Sequence, residues 1–305
     1  MQIEQAYRAL QAAVGDESRV LRDEPMNKHT SFKIGGPADI MICIKSADEI
    51  ADALRICRRY DVPVTVIGNG TNLLVRDKGI RGAVIKIGKE FCSLEIAGTH
   101  VTAQAGILVA SLANQTLNQG LAGLEFACGI PGTLGGAVMM NAGAYGGEIA
   151  DCLKRVRYMD ESGNTGWKLI QKDDLGYRRS IFSETGLIVL EAEFELRPDE
   201  SREAQKRAQE ISAQRNARQP VHLPSAGSTF KRPHNGYAAR LIDQAGLKGL
   251  RVGGAQVSEL HAGFIVNTGG ATAEDVLELA ETVRARVLDA SGTDLELEIK
   301  VLGEE

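Results

Sequence analysis

Residues 123–147, GLEFACGIPGTLGGAVMMNAGAYGG, constrain the fold of this chain more than any other stretch. Eight of these twenty-five residues are glycine, Glu125 is the only acid, and lysine and arginine are missing. Glycine is used where the backbone takes a positive φ or approaches another group closely, and elsewhere it costs conformational entropy. The Gly-Ile-Pro-Gly core predicts a turn, because proline sets φ and glycine supplies conformations that other residues avoid. The stretch as a whole is typical of neither an ordinary helix nor an ordinary strand.

A loop of this composition has two interpretations. The small residues Gly135, Gly136 and Ala137 leave main-chain N–H groups unobstructed, which suits the phosphates or the ring edge of a nucleotide-like cofactor. A tight loop packed against a sheet has the same composition, and a glycine-rich loop without lysine or arginine is a weak motif. The residues alone leave both interpretations open.

A second glycine loop lies earlier in the chain. A predicted helix, begun by a capping box of Ser46 and Glu49, is followed by a β-rich run over residues 62–67. That strand leads directly into GNGTN at residues 68–72, and residues 73–75 predict a further strand. A dinucleotide fold of the Rossmann kind is therefore disfavoured, because the loop has no third glycine and no helix follows it.

The GNGTN loop also has two interpretations. Its N–H groups, the Thr71 hydroxyl and the amides of Asn69 and Asn72 suit a pyrophosphate. A plain hairpin turn with asparagine and glycine at positive φ is the alternative.

Composition limits the class of protein. The 305 residues are enough for two domains, and 35 basic residues against 40 acids give a net charge of −5 without a basic block. Because there is no basic block, we expect no nucleic-acid partner. Because neither a signal peptide nor a bilayer-spanning apolar run is present, we expect no membrane partner. Five scattered cysteines without a CxxC pair indicate reduced thiols in the cytosol. We therefore expect a cytoplasmic protein. Neither the cysteines nor the five histidines have metal-ligand spacing, so we expect no metal.

Three later motifs place charged or hydroxyl side chains among small and apolar residues. In GYRRSIF, residues 176–182, an arginine either binds a carboxylate or phosphate through its bidentate fork or forms a surface salt bridge. In PSAGSTFKRP, residues 224–233, the hydroxyl of Ser228 suits an anionic ligand, although the motif is not a GxSxG elbow and a lone serine in a turn is commonly structural. Residues 295–301 alternate in polarity and predict a strand with both glutamates on one face, which is normally solvated.

Together these motifs resemble the UDP-N-acetylenolpyruvoylglucosamine reductase (MurB) family of peptidoglycan synthesis. The resemblance covers roughly residues 27–303, and several independent motifs in one order make it specific. The motifs are GNGTNLLV, GLEFACGIPGTLGGAVMMNAGAYGGE, GYRRSIF, SAGSTFKRP, AARLIDQAGLKG, GGAQVS, HAGFIVN and LELEI.

The resemblance implies an α+β fold. It consists of an FAD-binding fold of the vanillyl-alcohol-oxidase (PCMH) type in two subdomains, plus a C-terminal α+β substrate-binding domain. The implied division is FAD-binding subdomain 1 at residues 1–89, FAD-binding subdomain 2 at 90–218, the substrate-binding domain at 219–298 and a tail at 299–305 that returns to the FAD-binding region.

The family implies an FAD-dependent oxidoreductase. NADPH reduces the flavin, leaves, and is replaced in the same site by UDP-N-acetylglucosamine enolpyruvate, which becomes UDP-N-acetylmuramate. The expected partners are these two small molecules, and we expect a monomer. The FAD is expected to be non-covalent, because Cys128 is the only cysteine or histidine in the two glycine loops.

By motif position, the resemblance implies Arg178, Ser228 and Glu298 as the catalytic residues. Hydride transfer to the enol-ether methylene leaves charge on an enediolate, which Arg178 and a protonated Glu298 would stabilise. Ser228, aided by Lys231, would protonate the adjacent carbon. The implied substrate-binding residues are Tyr177, Lys231, Arg232 and Gln256. The implied cofactor-binding residues are Gly68, Asn69, Gly70, Thr71, Asn72, Gly129, Ile130, Pro131, Thr133, Gly135, Gly136, Asn141 and Gly143.

Two features depart from part of the family. Residues 183–216 contain no tyrosine, where some members carry a tyrosine-bearing loop that closes on the substrate, so the chain is similar to the shorter type. Arg232 stands where some relatives have asparagine. Two rival functions fit fewer motifs. A flavin oxidase of the same superfamily leaves the motifs around Arg178, Ser228 and Glu298 unexplained, and a non-catalytic flavin or nucleotide binder would not need those side chains.

Overall fold

A computed structural model describes residues 2–305, which form two compact units. The first unit consists of the chain up to Arg22, Ile40–Asn69 and Gly82–Arg215, and the second of Asp23–Asp39, Gly70–Arg81 and Asn216–Glu305. The second unit thus takes two stretches from the region assigned by sequence to FAD-binding subdomain 1. The predicted four-part division by chain order stays a prediction.

Eight α-helices are present in the described residues. They are α1 (Gln2–Val14), α2 (Ala47–Arg59), α3 (Val109–Asn118), α4 (Leu134–Met139), α5 (Ile181–Thr185), α6 (Glu203–Arg218), α7 (Ala238–Gln244) and α8 (Ala273–Ser291).

Twenty strands are present in the same residues. They are β1 (Val20–Pro25), β2 (Pro37–Cys43), β3 (Val64–Ile67), β4 (Leu73–Val75), β5 (Ile80–Lys86), β6 (Leu94–Ala97), β7 (His100–Gln104), β8 (Leu121–Ala122), β9 (Gly143–Ala144), β10 (Gly147–Glu148), β11 (Leu153–Met159), β12 (Thr165–Leu169), β13 (Leu175–Gly176), β14 (Arg179–Ser180), β15 (Ile188–Glu195), β16 (Arg197–Pro198), β17 (Arg251–Val252), β18 (Ala255–Val257), β19 (Ile265–Asn267) and β20 (Lys300–Leu302).

The strands form three larger sheets and several pairs. The larger sheets have the orders β1-β2-β5-β3, β12-β11-β15-β7-β6 and β17-β18-β19. In the five-stranded sheet, Val156, Ala192 and Ala103 lie opposite one another on the buried face. From Leu190 to Glu195 of β15, buried residues alternate with half-buried glutamates, which is the pattern expected of a sheet with one face on the core.

Helix α2 begins as predicted at Ser46, whose Oγ accepts the N–H of Glu49 at 3.2 Å. The reciprocal half of the predicted capping box is wrong. The Glu49 carboxylate accepts the Lys45 N–H at 2.7 Å and binds the buried Arg19 guanidinium at 2.8 and 2.9 Å. A bidentate, charge-assisted pair is stronger than a single bond to a neutral N–H, so the arginine determines where the carboxylate lies.

The glycine-rich residues 123–147 contain more regular structure than their composition indicates. The expectation that no ordinary helix occurs there is wrong for α4, which buries Leu134, Ala137 and Val138. Two glycines weaken a helix, but packing of an apolar face decides most helical stability in proteins. The N–H groups of Leu134 and Gly135 donate to the carbonyls of Ile107 and Ala105, both at 2.8 Å, and so fix the start of α4.

In the second unit, α8 begins with a capping box of Thr272 and Asp275 and buries an apolar stripe at helical spacing. Its members are Val276, Leu279, Ala280, Val283 and Val287. The predicted strand over residues 295–301 is interrupted, because two halves of the segment pair with different partners. Leu297 forms an antiparallel bridge with Phe230, whereas β20 pairs in parallel with β4.

Candidate active site

The two predicted cofactor loops meet within the first unit at Gly68. A Cβ built on Gly68 would lie 2.1 Å from Oγ1 of Thr133, a residue that is 3% exposed. Close approach therefore requires glycine at this position. Thr133 occupies the N-cap position of α4, yet its side chain makes no capping bond. Its hydroxyl therefore stays beside Gly68 and the first turn of α4.

The predicted supply of main-chain N–H groups is smaller than the sequence indicated. Gly135 donates to Ala105, and Ala137 donates to the Thr133 carbonyl at 2.9 Å. Of the three N–H groups named from the sequence, only that of the exposed Gly136 has no acceptor among residues 2–305. Nearby, the Ile130 N–H closes a turn onto Ala127 at 3.0 Å. Pro131 is exposed beside it.

Asn141 and Gly143 connect this segment to the arginine motif. Asn141 is fully buried, its Nδ2 donates to the Gly176 carbonyl at 3.2 Å, and its Oδ1 accepts the Ala150 N–H at 3.0 Å. The Gly143 carbonyl accepts a bond from Arg178 Nη2 at 3.3 Å. Both amide atoms of Asn141 are thus used within the protein, which makes it a residue that positions the arginine turn.

Arg178 occupies a strained turn. It follows Tyr177 in the two-residue connection between β13 and β14 and has a φ of +55°, a region that side-chain-bearing residues seldom adopt. Its guanidinium lies 5.1 Å from the centroid of the Tyr177 ring. Arg179, by contrast, forms an exposed ion pair with Glu184 at 3.1 Å. The salt-bridge interpretation therefore holds for Arg179, while Arg178 is half-buried and fixed in a costly conformation. Such strain is concentrated at functional sites.

In the second unit, the GNGTN loop is anchored at Gly70 and Asn72. Gly70 has a φ of +62°, and a Cβ there would lie 2.3 Å from the His29 carbonyl oxygen. Asn72 Nδ2 donates to the Glu298 carbonyl at 3.1 Å. Asn72, assigned to the cofactor from the sequence, thus holds the backbone of a predicted catalytic residue. Asn69, in the first unit, and Thr71, in the second, are half-buried.

A short antiparallel ladder brings Ser228 close in register to Glu298. The Glu298 N–H donates to the Thr229 carbonyl, and the Lys231 N–H donates to the Glu296 carbonyl, both at 2.8 Å. The Ser228 side chain is half-buried, and its hydroxyl makes no hydrogen bond with any of residues 2–305. A hydroxyl in that situation is available to a ligand.

The predicted substrate-binding residues have different environments. Lys231 forms an ion pair with Glu296, whose side chain is 73% exposed, whereas Glu298 is half-buried. The Arg232 guanidinium lies 4.2 Å from the centroid of the Tyr237 ring. The two amide ends of Gln256 bond to the Gly249 carbonyl and to Arg251, at 3.3 and 3.2 Å. Tyr177 is 51% exposed.

The first unit has two features that suit a bound dinucleotide. A side chain at Gly68 would fill the space beside Thr133, and an exposed N–H is free at Gly136. Burial raises the pKa of the Cys128 thiol to about 11, so this cysteine is uncharged and a poor nucleophile at neutral pH. That environment fits a non-covalent cofactor. Within residues 2–305, no cluster of histidine, cysteine or acidic side chains could hold a metal ion.

Comparison with known proteins identifies the family. Residues 38–167 match a family described as "FAD binding domain", and residues 219–302 match "UDP-N-acetylenolpyruvoylglucosamine reductase, C-terminal domain". A protein named UDP-N-acetylenolpyruvoylglucosamine reductase from Alkaliphilus oremlandii is 47% identical over 300 residues, covering 98% of each chain. The chain belongs to the UDP-N-acetylenolpyruvoylglucosamine reductase family.

Other members of this reductase family agree. A UDP-N-acetylenolpyruvoylglucosamine reductase from Clostridium botulinum (strain Hall) is 48% identical over 288 residues, covering 94% of each chain. The crystal structure of UDP-N-acetylenolpyruvylglucosamine reductase (MurB) from Thermus caldophilus superposes with a TM-score of 0.79 at 36% identity, covering 93% of this chain and 98% of that one. The predicted resemblance and fold class are confirmed, and the rival interpretations as another oxidase or a non-catalytic binder are disfavoured.

Sequence reasoning missed one residue beside the glycine segment. Arg215 of α6 lies against Gly129, where a Cβ would be 2.8 Å from Arg215 Cδ. The helical period of α6 contained the signal, because the buried Ala204 and Ala208 and the half-buried Ile211 lead to position 215 on one face.

Proposed function

We propose that this protein uses NADPH and FAD to reduce UDP-N-acetylglucosamine enolpyruvate to UDP-N-acetylmuramate, a step of peptidoglycan precursor synthesis. The observation that carries the proposal is the 47% identity to a named reductase across 98% of both chains. The match includes both the FAD-binding and the C-terminal family regions. The protein is accordingly an FAD-dependent oxidoreductase.

The cofactor residues are proposed from the geometry of the glycine loops. FAD, when bound, supplies the hydride that the enol-ether methylene of the substrate receives. Gly68, Thr133 and Gly136 offer close approach, a hydroxyl and a main-chain donor to the cofactor. Asn141 and Gly143 contribute indirectly, since they hold the turn that carries Arg178.

Arg178 is proposed to bind the carboxylate of the substrate. When the double bond is reduced, negative charge moves onto the carboxylate oxygens, and a fixed guanidinium stabilises that charge as it develops. The bond from Arg178 to Gly143 and the strained turn hold this side chain before the ligand arrives. No rearrangement is then needed during the reaction.

Ser228 is proposed as the proton donor. A serine hydroxyl is a weak acid, but a carbanion next to a carboxylate is basic enough to take its proton. The absence of any hydrogen-bond partner for this hydroxyl among residues 2–305 supports the proposal. Glu298, held beside Thr229 by the ladder and by Asn72, is proposed to stabilise the same developing charge.

The remaining assignments are proposals of the same kind. We assign Tyr177, Lys231, Arg232 and Gln256 to substrate binding and propose a monomer that works in the cytoplasm. None of the helices in residues 2–305 combines the length and apolar character needed to cross a membrane.

The visible spectrum of the purified protein under anaerobic conditions tests the function. We expect a yellow protein that bleaches when NADPH is added and regains its colour when UDP-N-acetylglucosamine enolpyruvate follows. Bleaching without recovery would indicate a flavoenzyme of another specificity. A protein that neither carries nor binds flavin would contradict the proposal.

A further inference from the structure

Ser31 lies in a turn of the second unit, between two buried neighbours. The Thr30 side chain is 6% exposed and donates its hydroxyl to the Ile34 carbonyl at 2.9 Å. The Lys33 N–H donates to the Thr30 carbonyl at 3.2 Å, and Phe32 is fully buried in the core of this unit. These contacts fix the backbone on both sides of Ser31, so its half-buried side chain starts from a fixed position.

Ser31 forms one hydrogen bond to each of two loops. Its N–H donates to the Gly70 carbonyl of the GNGTN loop at 3.2 Å. Its hydroxyl donates to the Ser225 carbonyl at 2.6 Å, a bond between residues that are 194 positions apart in sequence. A single residue thus connects a loop that the sequence assigned to the cofactor with the loop that carries Ser228.

The loop that carries Ser228 is held firmly on its C-terminal side. Thr229 is 1% exposed, its N–H donates to the Gly263 carbonyl at 2.8 Å, and its Oγ1 accepts the Ile265 N–H at 3.0 Å. Its carbonyl accepts the Glu298 N–H at 2.8 Å. Three hydrogen bonds to two other segments therefore fix the residue directly after Ser228.

The N-terminal side of the same loop has fewer anchors. The Pro224 carbonyl accepts an N–H of β19 at 2.8 Å, and the Ser225 carbonyl accepts the Ser31 hydroxyl. A Cβ added at Gly227 would meet no atom within 4 Å, so packing does not hold the loop there. Within residues 2–305, the Ser31 hydroxyl is the last hydrogen-bond partner of the chain before Ser228.

We propose that Ser31 is a positioning residue for the reduction of the substrate. Its hydroxyl holds the N-terminal side of the loop through the Ser225 carbonyl, and so fixes where the Ser228 hydroxyl lies. A proton donor must lie within hydrogen-bond reach of the atom that receives the proton, and a small displacement lowers the rate. The inference rests on the proposed function, in which Ser228 is the proton donor.

The test compares Ser31→Ala with Ser31→Thr and Ser291→Ala in the purified holoenzyme. Alanine removes the bond to the Ser225 carbonyl and keeps the N–H that bonds to Gly70, whereas threonine keeps a hydroxyl. Ser291 of the same unit donates its hydroxyl to the Val287 carbonyl of α8 at 2.8 Å. Ser291→Ala therefore controls for the loss of a serine–carbonyl bond elsewhere in this unit.

Rapid mixing with detection of flavin absorbance measures the two half-reactions separately. We expect Ser31→Ala to slow reoxidation by UDP-N-acetylglucosamine enolpyruvate by about tenfold, the effect of one lost hydrogen bond. Reduction by NADPH should stay within about twofold of the wild type, because it does not use the proton donor. Ser31→Thr should reoxidise faster than Ser31→Ala, and Ser291→Ala should match the wild type. Unchanged reoxidation in Ser31→Ala, or equal slowing of both half-reactions, would overturn the inference.

Combination with Ser228→Ala separates positioning from a general effect on stability. Without the proton donor there is no hydroxyl to position, so adding Ser31→Ala to Ser228→Ala should slow reoxidation no further. A further loss of about tenfold would overturn the inference, because Ser31 would then act independently of Ser228. If Ser228→Ala alone reoxidises at the wild-type rate, the proposed role of Ser228 fails. If Ser228→Ala is slow and Ser31→Ala is not, only the role of Ser31 fails.

A third substitution keeps the inference testable if Ser31→Ala folds poorly. Ser31→Cys keeps a side chain of similar shape but offers only a weak S–H donor to the Ser225 carbonyl. We expect slower reoxidation with unchanged reduction of the flavin, as for Ser31→Ala. Reoxidation by Ser31→Cys at the wild-type rate would contradict the inference.

Discussion

The glycine segment of the first unit and the serine–glutamate ladder of the second are built in opposite ways. Around residues 123–147, close approach at Gly68 and Gly129 defines the space beside the short helix α4. In the ladder, main-chain hydrogen bonds between Thr229 and Glu298 and between Lys231 and Glu296 fix the backbone. What the ladder can bind therefore depends on its side chains. A Cβ added in the first region should therefore affect the cofactor, whereas changed side-chain chemistry in the second should affect the reaction.

Arg178 gives the largest expected effect, because both its side chain and its backbone conformation are proposed to matter. Its side chain is proposed to bind the substrate carboxylate, and its φ of +55° is a conformation that glycine adopts without strain. We expect Arg178→Gly and Arg178→Ala to lower kcat/KM by about 1,000-fold with FAD retained. Because only glycine relieves the strain, Arg178→Gly should be more stable than Arg178→Ala by about 1 kcal/mol. Steady-state kinetics and thermal unfolding check the two statements. Equal stability of the two variants would show that the turn is unstrained.

Gly68→Ala gives the next largest effect and acts on the cofactor. The added Cβ would lie 2.1 Å from Thr133 Oγ1, so we expect FAD affinity to fall by about 100-fold. The matched control is Gly88→Ala, where the nearest atom lies 3.9 Å from the added Cβ. Adding Thr133→Ala to Gly68→Ala relieves the clash but also removes the hydroxyl proposed to face the cofactor, so it should recover only part of the affinity. If Gly68→Ala binds FAD as tightly as Gly88→Ala, the two loops do not form the proposed cradle.

Asn72→Ala tests which of the two regions Asn72 serves, because this residue belongs to the GNGTN loop but its amide binds the backbone of the ladder. Its amide holds the Glu298 carbonyl at 3.1 Å, so we expect kcat to fall by about tenfold, the effect of losing one positioning bond of 1 to 1.5 kcal/mol. FAD affinity should stay within about twofold of the wild type. Flavin fluorescence measures the FAD affinity, and steady-state kinetics measure kcat. A large loss of FAD affinity with unchanged kcat would instead favour the cofactor role assigned from the sequence.

His261 gives the smallest expected effect and concerns stability alone. Its Nδ1 accepts the Gly263 N–H at 3.2 Å, and burial lowers its pKa below the ordinary 6.5. Below about pH 6.5 the unfolded state takes up a proton that the folded state resists, so stability falls as the pH is lowered through that region. His261→Gln keeps an acceptor that does not titrate and should lose this dependence. The difference in Tm between pH 7.5 and 5.5 should shrink by at most about 2 °C. An unchanged difference would assign the acid sensitivity to other groups.

Much of the fold follows from local patterns, whereas the site depends on distant partners. The start of α2 at Ser46 and the apolar stripe of α8 were predictable, because caps and helical periods involve neighbouring residues. The interruption of the strand over residues 295–301 was not, because β4, the partner of β20, lies far away in sequence. The same holds for Asn72, whose amide binds a carbonyl 226 residues away.

The glycine segment shows the opposite limit. Its composition indicated an unusual backbone but not which N–H groups would lack an acceptor. The N–H of Gly135 donates to the Ala105 carbonyl, whereas the N–H of Gly136 donates to none of residues 2–305. Helix α4 escaped prediction because packing of three apolar side chains outweighs two poor helix formers. Arg215 could have been found from the period of α6, but its position over Gly129 required the structure.

The central claim is that the glycine segment serves the cofactor and the serine–glutamate ladder serves the reaction. Its most direct test is rapid-mixing kinetics of Ser228→Ala, with the two half-reactions followed separately by flavin absorbance. The side chain carries no structural hydrogen bond within residues 2–305, so its removal should leave FAD binding and the reduction of the flavin by NADPH unchanged. We expect reoxidation by UDP-N-acetylglucosamine enolpyruvate to slow by at least about 1,000-fold. Reoxidation at the wild-type rate, or an equal loss of both half-reactions, would contradict the assignment of Ser228 as the proton donor.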